Sequence, residues 1–166
     1  MKKSVKRRFI VIFCLAFGLG LVFSGLVQAQ EAEGCGPGFW KQEQHFEFWE
    51  GVAPTDLFST HFGPTIEIRL KKKDGGGTTD NPTLLQALQA PGGGINALAR
   101  QAVAALLNAE SGAVNYGLPS GEVIISFQAA FDDGSKAAIE AQKDTFETLN
   151  ELACPFDSAE MEEEIE

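Results

Sequence analysis

Cationic residues are scarce in this chain: 13 Lys and Arg stand against 23 Asp and Glu, a formal charge of −10. Such a balance is repelled by phosphate backbones and anionic lipid surfaces, which argues against nucleic acid and anionic membranes as partners. Histidine is scarcer still. His45 and His61 are the whole supply, and their spacing matches no metal signature. No serine sits in a Gly-x-Ser-x-Gly elbow, which excludes a nucleophile of that type. The glycine runs from Gly75 to Gly77 and from Gly92 to Gly94 lack the Lys-Ser/Thr or strand–helix context of a phosphate loop. No segment repeats, so a repeat architecture is excluded. Nothing in the composition asks for a cofactor.

The first thing that is present is a secretory layout. Lys2, Lys3, Lys6, Arg7 and Arg8 precede a mostly apolar run from Phe9 to Leu26, followed by Val27-Gln28-Ala29. The positive start holds its side of the membrane while the apolar run enters. Val27 and Ala29 are small enough for the −3 and −1 pockets of a signal peptidase. The sequence therefore predicts a signal peptide over 1–29, cleavage between Ala29 and Gln30, and a secreted product, periplasmic or extracellular. Five basic residues leave with the leader and no acid does, so 8 basic residues then face 23 acidic ones. The last ten residues, 157–166, are dense in Asp and Glu and read as a disordered, solvated tail.

Cysteine is limited to three, and Cys14 lies inside the leader. It precedes the cleavage site, so it is no lipoprotein cysteine. Cys35 and Cys154 remain, near the two ends of the exported chain, and two cysteines allow one bridge. An oxidising compartment lets it form.

Between the cysteines the pattern is mainly helical, predicting one domain over 30–156. Pro37 suits a first helical turn, ahead of an aromatic-rich segment over 39–50. At helical spacing Phe39, Phe46 and Trp49 share one side, and Trp40 and Phe48 point away from it. Residues 51–64 read as loop, broken by Pro54, Gly63 and Pro64. Residues 65–70 alternate, with Ile66, Ile68 and Leu70 on one face, as a strand does. A lysine- and glycine-rich loop follows over 71–80. Asn81 and Pro82 then read as cap and first turn of a helix with Leu84, Leu85 and Leu88 as its stripe. Ile95 opens the clearest helix, 95–109, whose apolar positions form two adjoining stripes. Ser120 and Ser135 read as caps of two more, the last running over 136–153 with Ile139, Phe146, Leu149 and Leu152 inward. The expected fold is a compact bundle of about five helices with at most one short strand pairing, closed by one disulfide.

Several groupings bear on function. Trp40, Phe48 and Trp49 form a candidate binding surface for a protein or glycan partner, since aromatic rings stack on sugars and anchor interfaces. His45, Glu47 and His61 are weak candidates for a metal. Asp74, Asp80 and Asn81, or Asp132 and Asp133, offer oxygens for calcium, without the regular spacing of an EF-hand. Glu43 and Glu47, or Asp132 and Asp133, are the carboxylate pairs from which a small secreted hydrolase would draw.

The run Gly34-Cys35-Gly36-Pro37-Gly38-Phe39-Trp40-Lys41-Gln42 resembles the Cys-x-Pro-Gly-Tyr-Trp-Lys-Asn-His segment of a set of uncharacterised bacterial exported proteins. The stretches 83–88, 92–94 and 100–109, and Asn150 with Cys154-Pro155, resemble its later blocks. The resemblance implies a coherent domain with a structural Cys35–Cys154 bridge and brings no activity with it. Gln42 and Glu43 stand where that set has Asn-His, and His45 comes two residues later. The combined expectation is an exported, non-catalytic binding or structural protein. A metal- or calcium-dependent binding module is the first rival and a small secreted hydrolase the second.

Overall fold

The computed structural model describes residues 31–157. The leader, its cleavage site and the tail over 158–166 lie outside the described residues. What is described is mainly helical. Six α-helices follow in order: α1 (Pro37–Trp40), α2 (Phe58–Phe62), α3 (Leu84–Leu88), α4 (Ile95–Glu110), α5 (Ser120–Asp133) and α6 (Lys136–Asn150). A further helical turn begins at 155–157. One antiparallel pairing joins β1 (Ile68–Arg69) to β2 (Thr78–Thr79), with Ile68 opposite Thr79.

Helix α4 is the axis of the fold, in contact with α1, α3, α5, α6 and β1. Every residue from 101 to 108 is buried, so the two expected stripes widen until no polar face remains. Its alanines explain how: Ala99, Ala102, Ala104 and Ala105 carry too little side chain to hold neighbours away, so helices close on it from several sides. Helix α5 turns Val123, Phe127 and Ala130 inward and ends at Gly134, whose φ of 67° suits a left-handed cap. Helix α6 starts at Ser135, whose hydroxyl accepts the Ala138 N–H, as the sequence predicts. It stops at Asn150 and not at 153, and Leu149 is only half-buried.

Other boundaries move for identifiable reasons. Helix α3 is capped by Thr83 and not by Asn81. The Thr83 hydroxyl accepts the Gln86 N–H, and the Gln86 side chain accepts the Thr83 N–H. Residues 81–83 are drawn into extended pairing instead: the Pro82 carbonyl accepts the Phe58 N–H at 2.8 Å, and Thr83 bridges Leu57. Helix α5 begins at Ser120 itself, with Pro119 in the cap position. The six-residue strand shrinks to two, and its partner lies inside the segment read as loop. Helix α2 falls in the other such segment. Phe58 and Phe62, one turn apart, stack at 4.3 Å, and Phe127 meets both edge-on at 5.1 Å.

The aromatic segment is not one helix. Helix α1 ends after Trp40, Gln42 is extended (ψ 134°), and a 3-10 helix runs over Glu43–Phe48. This break folds both aromatic sets back toward one another.

Candidate functional site

The chemistry of the molecule concentrates where the two ends of the domain meet. Cys35 and Cys154 are bonded, with Cα atoms 4.7 Å apart and a sequence separation of 119. Closing a loop of that length limits the unfolded chain by about 5 kcal/mol in the chain-entropy account. Gly34 lies directly on the last turn of α6, where any Cβ would collide with the Leu149 carbonyl.

Beneath the bridge lies a buried amide network. Asn108 on α4 accepts the Cys35 N–H at 2.9 Å and the Trp40 Nε1–H at 3.0 Å through one oxygen. Its Nδ2 donates to the Cys35 carbonyl at 2.9 Å and to Asn150 Oδ1 at 3.0 Å. Asn150 also accepts the Tyr116 hydroxyl and donates to the backbone and side-chain oxygens of Gln101. Both asparagines are fully buried, and the amide hydrogen-bonding groups of each are engaged. Such a network is stable only when complete, because each stranded polar group keeps its desolvation cost. Burial also pushes the Tyr116 phenol well above its ordinary pKa, so it stays a neutral donor to Asn150.

Above the bridge the aromatic rings form a stack. His45 lies on Phe39 at 3.8 Å, and Phe156 stacks on Phe39 at 5.1 Å and on Phe48 at 4.6 Å. Trp40 meets Phe156 edge-on. His45 Nδ1–H donates to the Phe39 carbonyl at 2.9 Å. Beside this stack opens a cleft of about 390 Å³. Three stretches of chain line it: Gly36, Gly38 and Phe39 in the first, Gln42, Gln44 and His45 in the second, and Glu151, Cys154 and Asp157 in the last. Its lining holds two carboxylates and no Lys or Arg.

The residues singled out by sequence separate in this geometry. Trp40 is 0% exposed and Trp49 8%, and the Trp49 indole donates to the Trp40 carbonyl. Neither indole offers a face to a partner, so these two members of the candidate binding surface belong to the core. Phe48 is half-buried against Phe39 and Phe156. The weak metal set does not assemble. His45 is buried on Phe39, Glu47 is exposed, and His61 Nε2 pairs with Asp56 Oδ2 at 3.2 Å. Among the described residues, no three of His, Cys, Asp and Glu are grouped to hold a metal ion. Of the calcium candidates, Asp133 instead accepts the Ser135 N–H, and its bonds to the Ser135 hydroxyl and N–H lower its pKa. Glu43 and Glu47 lie on a 3-10 helix, where residues four apart are turned well away from each other and do not share a face.

Asn108, Asn150, Tyr116 and Phe156 carry the site and were not singled out by pattern. Phe156 had one available signal, an aromatic two residues past a bridging cysteine. The asparagines had none in the periodicity, which scores an asparagine on a core face as an interruption, although both fall in the blocks that carry the resemblance. Among the described residues no helix is long and apolar enough to cross a membrane. Comparison with known proteins finds no matching family model, no matching curated protein and no matching solved structure.

Proposed function

We propose that this protein is exported and acts as a non-catalytic binding protein, with the cleft at the disulfide end as its ligand site. The supporting observation is the convergence in one cleft of Gln42, Gln44, His45, Glu151 and Asp157 on a floor held by the bridge and the amide network. A volume of about 390 Å³ matches a small ligand or one segment of a larger one. The two glutamine amides supply donors and acceptors together, and the carboxylates disfavour anions. The ligand is therefore polar and neutral or cationic, such as a short peptide segment or a neutral sugar held by edge hydrogen bonds. Ring stacking on tryptophan plays no part, since both indoles are enclosed.

Titration with neutral oligosaccharides and with lysine-containing short peptides, followed by calorimetry, tests the reading. Binding by one class that weakens at least about tenfold in Gln44→Ala, with an unchanged unfolding midpoint, supports it. Binding by neither class, or binding indifferent to Gln42→Ala and Gln44→Ala, overturns it. Export is tested separately by the N-terminal residue of protein recovered outside the cytoplasm. Gln30 is expected, and an intact leader would mean an anchored protein.

A further inference from the structure

We propose that a second pocket, between the 3-10 helix over Glu43–Phe48 and α3, binds a free amino acid with an aliphatic side chain. It shares no lining residue with the cleft at the disulfide end and does not depend on what that cleft binds.

The pocket has a volume of about 200 Å³ and is built from three stretches far apart in sequence. Lys41, Glu43 and Phe46 come from the segment after α1, Asp74 from the turn between β1 and β2, and Leu85, Gln86 and Gln89 from α3 and its C-terminal cap. Each stretch is held by bonds that the pocket does not use. The Lys41 N–H donates to the Pro37 carbonyl at 3.3 Å, the Asp74 N–H to the Lys71 carbonyl at 2.9 Å and the Leu85 N–H to the Pro54 carbonyl at 3.2 Å. Phe46 packs edge-on against Trp49 at 5.6 Å. The backbone walls are thus set before a ligand arrives, which lowers the ordering cost of binding.

The lining carries both signs of charge. Lys41 supplies a cation, and Glu43 and Asp74 supply carboxylates. No ion pair among the described residues joins Lys41 to either acid. A ligand with one charge gains from part of this set and is repelled by the rest, whereas a zwitterion gains from both parts. Gln86 adds direction. Its side-chain oxygen accepts the Thr83 N–H in the cap of α3, so the NH₂ is the group that it offers to a ligand. Lys41 and the Gln86 NH₂ therefore take a carboxylate, and Glu43 and Asp74 take an ammonium. Phe46 and Leu85, both half-buried, give the apolar surface for an aliphatic side chain. The volume falls below the roughly 300–1,000 Å³ of sites for drug-sized ligands, which favours a single amino acid over a peptide.

Calorimetric titration of the oxidised protein with L-valine, L-leucine and L-methionine tests this. Two analogues of leucine are the controls: 4-methylpentanoate, which lacks the amine, and 3-methylbutylamine, which lacks the carboxylate. At least one amino acid should bind with a Kd below about 1 mM, and for leucine each analogue should bind at least about tenfold more weakly. Lys41→Met and Asp74→Asn should each weaken binding at least about fivefold with an unchanged unfolding midpoint. Glu43→Gln, at an exposed position, repeats the test should Asp74→Asn fail to fold. Gln44→Ala, in the other cleft, should leave amino acid binding as it is. Three results each overturn the proposal. In the first, none of the three amino acids binds. In the second, the single-charge analogues bind as well as leucine. In the third, Gln44→Ala abolishes binding while Lys41→Met and Glu43→Gln do not, which moves the amino acid to the cleft.

Discussion

Replacing Asn108 by leucine keeps the branched heavy-atom skeleton, with two methyl groups in place of the amide oxygen and nitrogen, and removes every hydrogen bond that the side chain makes. Three buried partners lose theirs: the Cys35 N–H, the Cys35 carbonyl and the Trp40 Nε1–H. Asn150 Oδ1 retains the Tyr116 hydroxyl and is only partly affected. A buried polar group stranded in this way costs about 1–3 kcal/mol. Three of them, without full additivity, give an expected destabilisation of about 3–6 kcal/mol, a large share of the 5–15 kcal/mol typical of a domain. The bridge is untouched, so the loss is not one of chain restriction. Urea unfolding of wild type and Asn108→Leu measures it, followed in parallel by far-UV circular dichroism and tryptophan fluorescence. Coincident transitions support two-state treatment. A second comparison adds Asn150→Leu and the double variant. Because the two amides share one bond, the double variant should lose less than the sum of the singles, by at least about 0.5 kcal/mol. An Asn108→Leu protein within about 1 kcal/mol of wild type would refute the network as a stabilising unit.

Four further outcomes follow from the same structure. Trp40→Ala should destabilise by about 3–5 kcal/mol through the cavity it leaves, measured by the same urea transition; an unchanged midpoint would return this residue to the role of surface contact. Cys35→Ser should lower the melting temperature by roughly 10–20 °C in calorimetry, the equivalent of the chain restriction lost, and native protein should titrate no free thiol at Cys35 or Cys154. Gly34→Ala should impair folding through collision with the Leu149 carbonyl, seen as a lower yield of oxidised monomer, whereas Gly38→Ala, with open space beside it, should be neutral. The Ala53 N–H and the His61 side chain lower the pKa of Asp56. Its stabilisation is therefore fully present above the ordinary carboxylate range and lost as pH falls through the lower folded value; Asp56→Asn should melt below wild type at neutral pH, with the gap closing in strong acid.

The helices that carry the fold were legible where periodicity and caps agree. Ile95 to Leu107 repeats at three and four, and Ser135 caps the next helix but one with its own hydroxyl. Legibility fails where tertiary contacts overrule local pattern. The stretch from Phe39 to Trp49 has helical spacing, yet the break at Gln42 is favoured because it brings His45, Phe48 and Phe156 onto Phe39. Asn81 looks like a cap by type, but the Pro82 carbonyl is claimed by Phe58, so Thr83 caps instead. Phe58 and Phe62 carry a helical pair, masked by Pro54, Gly63 and Pro64 on either side. The amide network was the least legible part. Its members lie 42 and 73 residues apart along the chain, and no local rule connects an asparagine on α4 to a backbone near the first cysteine.

The clasp between Asn108 and Cys35 sets an order of events for a chain that emerges N-terminus first. Cys35 appears early, yet its backbone partner arrives only with α4 and its covalent partner 119 residues later. Local collapse cannot bring the two sulfurs together, since the segment holding Cys35 docks on helices that do not yet exist. Oxidation is thus the closing step of maturation, and it certifies that everything between the cysteines has been made and placed. A chain cut short anywhere before residue 154 stays linear and open to proteolysis. A finished one becomes a covalent ring, and even when its helices melt it unfolds into a loop with far less room to wander.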